Sequence, residues 1–206
     1  MNYFPMFVDL TGKKILVAGG GTVALRKVRV LKTFGPQIVV AAKSFCPALL
    51  QEEDITLLQS SAEDIPLSDF AAVIAATDDA EVNHAIAKAC IDLRIPVNTV
   101  DDAAFCSFLF PALVTSGPLT VGISSSGISP ACTMYLKEKI RDLLPDDLPA
   151  ILNWLAALRP GIKALIADEK KRSLLFHSLF EEAMRLQRPL TEEETAALMQ
   201  STGGSL

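Results

Sequence analysis

Through the first hundred residues the apolar positions alternate between two spacings. "KKILVAG" (13–19) closes on an unbroken apolar run, too short for a helix and typical of a strand buried on both faces. "TVALRKVRVLKTF" (22–34) then places Val23, Val28, Leu31 and Phe34 at helical spacing, with Arg26, Lys27, Arg29 and Lys32 mostly on the other side. Gly35-Pro36 predicts the end of that helix. Further strands are predicted at "QIVVAA" (37–42), "ITLLQ" (55–59), "FAAVIAAT" (70–77) and "IPVNTV" (95–100). "FCPALLQEE" reads as a short helix. "DAEVNHAIAKACIDLR" (79–94) reads as a longer one, with Val82, Ile86 and Leu93 among its apolar positions. Strand and helix in this rhythm predict an α/β fold, a Rossmann-like parallel sheet with helices on both faces. Such sheets take ligands at the carboxyl ends of their strands.

The pattern changes after residue 104. "FCSFLFPALV" and "LTVGISS" flank the turn signal "TSGP" (115–118) and read as strands of a different sheet. "SPACTMYLKEKIRDLL" (129–144) opens as a helix, with Ser129 as N-cap and Pro130 at its first position. After "PDDLP" the chain is helical in pattern out to a polar tail, "STGGSL". Three parts are expected: a nucleotide-binding domain over 1–104, a small mixed segment over 105–145, and a helical region over 146–206. The middle segment carries Phe105, Phe108, Phe110 and Leu113 with few elements to cover them. Its core is expected to be completed by a second copy of the chain.

Composition narrows the classes. The 206 residues are 50% hydrophobic, enough for a sizeable core. No apolar run is long enough to span a bilayer, and the start lacks a basic region ahead of a long apolar one, so neither a membrane anchor nor a signal peptide is expected. Cys46, Cys90, Cys106 and Cys132 form no CxxC pair, and free thiols in a reducing cytoplasm are the expectation. The net charge of −5 argues against a nucleic-acid binder with a basic face.

Chemistry enters with "VAGGGTVALRK" (17–27). Gly19-Gly20-Gly21-Thr22-Val23-Ala24 fits G-x-G-x-x-G/A between a predicted strand and a predicted helix. Gly19 permits the tight turn, Gly21 lets a pyrophosphate approach the backbone, and small Ala24 lets helix and strand pack closely. The amides of Thr22 and Val23 begin the helix, where they face phosphates. An NAD site commonly has Asp or Glu about 20 residues on. The second strand instead ends in Lys43 and Ser44, and Lys43 suits either the 2′-phosphate of NADP or plain solvent. Thr77 and Asp78 in "AATDD" supply another wall, with Thr77 a candidate cap for the following helix. Asp101 and Asp102 follow the fifth strand and are candidates for chemistry. The helix start in "SSSGISP" (124–130) offers Ser124, Ser125 and Gly127 as an anion-binding turn. Neither histidine, His84 or His177, belongs to a cluster with metal-site spacing.

Together, "YFPMFVDLTGKKILVAGGGTVALRKVRVL", "IAATDDAEVN", "PVNTVDDAAFCSFLFPALV" and "VGISSSGISPA" resemble the precorrin-2 dehydrogenase / sirohydrochlorin ferrochelatase family, which forms the N-terminal half of siroheme synthase and also occurs free-standing. The resemblance runs from about residue 3 to residue 145, and the methyltransferase half of the fused enzymes has no counterpart. It implies oxidation of precorrin-2 to sirohydrochlorin, with NAD rather than NADP taking the hydride, since family members also lack the acid after the second strand. It implies that Asp101 is the key catalytic residue, proposed in the family as general base, with Asp102 turned elsewhere. Ser125 would lie by the tetrapyrrole and be open to phosphorylation. Ser126 stands where relatives often have a second glycine. Intertwined homodimers through the middle segment are also implied. Some free-standing relatives insert Fe2+ into sirohydrochlorin and some do not, so iron insertion, dehydrogenation alone, and a non-catalytic NAD(H)-sensing module are the alternatives carried forward. A polycarboxylate substrate would need local positive charge, for which Arg141, Lys137, Lys139, Arg159 and Lys163 are candidates.

Overall fold

The computed structural model describes residues 3–100 and 102–203. Its contacts divide the chain into two units, residues 1–110 and 111–206. In the first unit the elements run β1 (Lys14–Ala18), α1 (Thr22–Lys32), β2 (Gln37–Ala42), α2 (Pro47–Leu50), β3 (Ile55–Gln59), β4 (Ala72–Ala75), α3 (Ala80–Asp92) and β5 (Val97–Thr99). The five strands form one sheet in the order β3-β2-β1-β4-β5, with every pairing parallel.

Side chains alternate across a strand, so a strand buried on both faces feeds two cores. Ile15, Val17, Ile38, Val40 and Ile74 pack with Leu25, Val28 and Leu31 of α1 on one face. Leu16, Ala18, Ala41, Val73 and Ala75 pack with Ile86, Ala87 and Cys90 of α3 on the other. The two helices therefore cover opposite faces. The strand order reverses between β1 and β4, which opens a crevice at their carboxyl ends. Cys90 is wholly buried in the second core, and burial pushes its thiol up to about 11.

Helix boundaries follow local chemistry. α1 is followed by Gly35 at φ +69, a left-handed turn that leads the chain into β2. The buried stripe of α1 is Ala24, Leu25, Val28 and Leu31, so Ala24 and Leu25 join the predicted positions. In α3 the expected stripe is corrected. Leu93 is exposed, and the buried positions are Asn83, Ile86, Ala87 and Cys90. A buried asparagine breaks the apolar pattern, and its side chain has a use described below. Phe108 and Phe110 pack on the α1-side core and Phe105 on the α3-side core. Residues 105–111 contain no strand, and the strand expected there begins at Ala112.

The second unit holds a hairpin, β6 (Ala112–Ser116) and β7 (Leu119–Ile123), then α4 (Pro130–Leu143), α5 (Leu148–Leu165), α6 (Glu169–Leu186) and α7 (Glu192–Gly203). The hairpin turns at Gly117, φ +56, where a Cβ would press on Pro149 at the start of α5. α4 packs on β6 and has no buried residue of its own. α5 and α6 enclose Ile151, Ile162, Leu175, Leu179 and Ala183, with Trp154, Leu198 and Met199 beside them. α7 opens on a capping box. Glu194 N donates to Thr191 Oγ1 at 3.2 Å, and Thr191 N donates to Glu194 Oε2 at 2.8 Å. Arg188 adds two bonds to the same carboxylate, at 2.9 and 2.8 Å. Helix α7 takes in Ser201–Gly203, which were expected to begin the polar tail. Among the described residues no helix is long and apolar enough to cross a membrane.

Candidate functional site

The crevice begins at the glycines. Gly19 has φ +127, and a Cβ there would overlap the carbonyl oxygen of Ala76. A Cβ on Gly20 would overlap the carbonyl oxygen of Ser44, while the Gly20 carbonyl accepts from Cys46 N at 2.8 Å. These two glycines bring the ends of β1, β2 and β4 together. Gly21 differs. Its φ of −90 suits any residue, and nothing lies within 4 Å of its would-be Cβ. Packing among the described residues does not require glycine at 21.

Gly21 is also the N-cap of α1, and no side chain caps that end. The first turn carries no acid. Helix amides at an uncapped N-terminus carry a partial positive charge, and a phosphate group satisfies it. Ala24 is fully buried behind the loop, where it seats α1 against the sheet.

A cleft of about 720 Å³ opens above the loop. Gly19, Gly21, Thr22, Val23, Lys43, Ser44, Thr77 and Asp78 all line it, so eight of the nine cofactor candidates meet there and Ala24 stands behind. Lys43 and Ser44 are exposed at the end of β2, and the Lys43 carbonyl accepts from Gln59 at 3.4 Å. Thr77 was the cap expected for α3 from the sequence, and it does not cap it. Asp79 does, accepting from Glu81 N at 2.9 Å and Val82 N at 3.3 Å. The shift has a simple cause, because the Thr77 hydroxyl is engaged by Asn83 at 2.8 Å. Asn83 holds the whole of Thr77, and so holds this wall of the cleft.

The structure adds lining residues that the motif does not name. Ser61 and Ala62 lie just beyond the end of β3, Phe45 and Cys46 lead into α2, and Val100 follows β5. A carboxyl-end rule applied to every strand would have found the first and last of these.

Asp101 lies outside the described residues. Asp102 starts a short turn over Ala103–Phe105, where its Oδ1 accepts from Ala104 N at 3.0 Å. Its Oδ2 accepts from His84 Nε2 at 2.9 Å. Ser124, Ser125 and Gly127 lie in the second unit, in the turn before α4. Ser125 Oγ accepts from Ser129 N at 3.0 Å and donates to Ser129 O at 3.1 Å. Ser124 Oγ accepts from Ser126 N at 3.1 Å. Ser126 takes φ +55 and Gly127 φ +81, so Ser126 adopts the left-handed conformation that glycine favours. Ser129 caps α4 as predicted, with its Oγ accepting from Cys132 N at 3.2 Å. Of the candidate cations, Arg159 lies over the Phe176 ring at 5.6 Å and lines a groove of about 480 Å³ with Leu155 and Arg172. Arg141 sits 3.9 Å from Glu138. Among the described residues no three His, Cys, Asp or Glu side chains gather as a metal site.

Comparison with known proteins follows this geometry. Residues 6–112 match the family model described as putative NAD(P)-binding. The siroheme synthase of Sodalis glossinidius (strain morsitans) is 40% identical over 169 residues, which cover 81% of this chain and 36% of that protein. The siroheme synthase of Zymomonas mobilis subsp. mobilis is 39% identical over 183 residues, covering 87% of this chain and 39% of that one. The chain thus spans well under half the length of these curated relatives. The solved structure of SirC, precorrin-2 dehydrogenase, has a TM-score of 0.74 at 22% identity and covers 98% of this chain and 100% of its own. That likeness extends the shared fold through the C-terminal helices.

Proposed function

Since the chain belongs to the putative NAD(P)-binding family, we propose that it oxidises precorrin-2 to sirohydrochlorin with NAD+, a step toward siroheme. The observation that carries the reading is the uncapped start of α1 beneath an open Gly21, at the reversal of the strand order. The names of the similar proteins supply the substrate class: siroheme synthases over four fifths of this chain, and a precorrin-2 dehydrogenase of like fold.

The bound nicotinamide supplies the hydride acceptor, and the macrocycle loses a hydride and a proton in all. The chain has three tasks. The amides at Thr22 and Val23 hold the pyrophosphate, and the fully buried Ala24 keeps α1 close enough for them to do so. The wall at Thr77 and Asp78 and the strand end at Lys43 and Ser44 bound the cleft on its other sides. Asp101, next in sequence to cleft-lining Val100, takes the proton as general base. Ser124, Ser125 and Gly127 receive a carboxylate of the tetrapyrrole in the second unit, and Ser125 Oγ is the group a kinase would modify. The absence of an acid after β2 does not exclude NAD in this reading, and Lys43 is left to solvent.

The active form is a homodimer joined through the second unit. α4 buries none of its residues, and Ile128, Met134, Tyr135 and Leu143 are each at least half exposed. Such a surface fits a protein partner, and a second copy is the partner proposed. Fe2+ is a substrate only if the chain also inserts metal, with Asp101 again the group to accept the pyrrole protons.

The test is the absorbance of the purified protein with precorrin-2 and NAD+, followed by Fe2+ or Co2+. Appearance of sirohydrochlorin with stoichiometric NADH is expected. Binding of NAD(H) without turnover would overturn the reading in favour of a sensing module. A further spectral change on adding metal would add chelatase activity to the assignment.

A further inference from the structure

The charged groups of the cleft are divided between two strand ends. Asp78 and Asp79 lie beyond the end of β4. Lys43 follows β2, and it is the one cation among the described residues that line the cleft. β1 and its glycine turn stand between these two ends in the sheet. The Asp79 carboxylate is occupied by the first amides of α3, at 2.9 and 3.3 Å. Three cations of α1 are also engaged. Arg29 and Lys32 meet Glu52 at 2.7 and 3.4 Å, and the Lys27 ammonium lies 3.9 Å from the centre of the Phe110 ring. Lys43 and Ser44 differ from all of these. Both are exposed, and among the described residues the ammonium makes no ion pair and the hydroxyl no hydrogen bond.

The backbone that carries these two groups is fixed to the glycine turn. The bare Gly20 admits the Ser44 carbonyl, and the Gly20 carbonyl accepts from Cys46 N at 2.8 Å. From the other side, Ser60 N donates to the Ala42 carbonyl at 3.2 Å and Gln59 Nε2 to the Lys43 carbonyl at 3.4 Å. The turn at 43–44 is therefore held at a set distance from the start of α1. In a sheet of this kind the adenosine ribose lies at the end of β2, about 20 residues past the glycines. An acid at that end binds the ribose hydroxyls and repels a 2′-phosphate, whereas a cation attracts the phosphate. Here the strand end holds an ammonium with three donors and a hydroxyl with one, and lysine meets a phosphate as a point charge.

We infer that the cleft accepts NADP+ as well as NAD+, with Lys43 and the Ser44 hydroxyl receiving the 2′-phosphate. This rests on the reading of the cleft as a dinucleotide site. With NAD+ bound, Lys43 stays in solvent. The chemistry is the same with either cofactor: precorrin-2 gives a hydride to the nicotinamide and releases one proton, leaving sirohydrochlorin and, with NADP+, NADPH. The 2′-phosphate is at the far end of the cofactor from the reacting carbon, so it acts on affinity and not on the chemical step.

The experiment uses the full chain. Dissociation constants are measured by titration for NAD+ and NADP+, and for 5′-ADP and adenosine 2′,5′-bisphosphate, which present the ribose end alone. Sirohydrochlorin formation is followed with each dinucleotide. The parent should bind NADP+ within about tenfold of NAD+, and should bind the bisphosphate more tightly than 5′-ADP. Lys43→Asp supplies the acid that the strand end lacks, and should lower the ratio of NADP+ to NAD+ affinity by about a hundredfold. Lys43→Arg should keep that ratio within about threefold of the parent, and Ser44→Ala should lower it by about threefold to tenfold. Added salt should weaken NADP+ more than NAD+. A wider gap between the two cofactors in the parent, or an unchanged ratio in Lys43→Asp, would overturn the inference. If neither dinucleotide binds, the cleft is not a dinucleotide site and the inference falls with that reading. If NAD+ binds and NADP+ does not, only the inference falls. If both bind and precorrin-2 stays unoxidised, the proposed reaction falls and the inference stands.

Discussion

Asn83 holds Thr77 by three hydrogen bonds. Its Oδ1 accepts from Thr77 N at 3.0 Å and from Thr77 Oγ1 at 2.8 Å, and its Nδ2 donates to the Thr77 carbonyl at 3.1 Å. One buried side chain thus satisfies both backbone groups of a residue that lines the cleft above the glycines.

Asn83→Leu should therefore act on both stability and binding. It leaves the Thr77 amide and carbonyl without their partner, at about 1–3 kcal/mol for each group that stays dry. Urea midpoints should fall accordingly, and NAD+ affinity should drop by about tenfold as the Thr77–Asp78 wall loosens, a loss of about 1.4 kcal/mol. An unchanged NAD+ affinity in the folded variant would show that the wall does not touch the cofactor.

Gly20 and Gly21 should separate folding from binding. Gly20→Ala forces a methyl into the Ser44 carbonyl and should destabilise the protein by about 2–3 kcal/mol or more. Gly21→Val meets open space and should melt near the parent temperature, yet weaken NAD+ binding by at least about tenfold. Calorimetry on the two variants with an NAD+ titration checks both; equal affinities for parent and Gly21→Val would remove the loop from the phosphate site.

Asp101→Ala should lose most sirohydrochlorin formation while NAD+ still binds, because the phosphate cradle is backbone. A general base worth a hundredfold corresponds to about 3 kcal/mol of barrier. The rate of NADH appearance, with NAD+ affinity alongside, decides it.

The second unit should carry the dimer contact. Light scattering at micromolar concentration should give twice the chain mass, and Met134→Glu with Leu143→Glu, both on exposed positions of α4, should shift it toward the monomer without altering the melt of the sheet unit. A monomeric parent would end the proposal.

Glu194 gives the helical unit an acid limit. The hydrogen bonds from Arg188, and then that from the Thr191 amide, hold its carboxyl down to about 2, against an ordinary value of 4.5. The folded value is the lower one, so the stabilisation is complete above about 4.5 and is lost as pH falls toward 2. Fluorescence of Trp154, the one tryptophan, should show a urea midpoint that falls between pH 5 and pH 3 more steeply in the parent than in Glu194→Gln. Parallel slopes would show that the capping box does not hold α7.

Four strands of the sheet were legible because β1, β2, β4 and β5 are largely buried and so stand out as apolar runs against the helical spacing of α1, while the edge strand β3 is only partly buried. The glycine-lined cleft was legible for a related reason, since "GGGTVA" sits where strand period gives way to helix period. Legibility ended where one residue served two ends. Asn83 is polar in sequence yet lies in the buried stripe, so Leu93 was expected in a place that Cys90 and Asn83 share with Ile86 and Ala87. Gly20 is a free position in the fingerprint, and only the approach of Ser44 makes glycine necessary there. Phe105, Phe108 and Phe110 gave no sign of which core they join, because aromatic residues between elements carry no period. His84 and Asp102 are eighteen positions apart, and no spacing rule connects a helix residue to a loop across a strand.

Cys90 turns the core beneath α3 into a clock. Its thiol is sealed from solvent and burial pushes it up to about 11, so in the closed protein it is almost wholly protonated at neutral pH and out of reach of a disulfide reagent. Its labelling therefore waits for α3 to lift from the sheet. The same helix carries Asn83, which holds Thr77, so the labelling rate measures how often that wall of the cleft is released. A ligand that slows Cys90 labelling without touching the thiol would report its own binding through the lifetime of that closed helix.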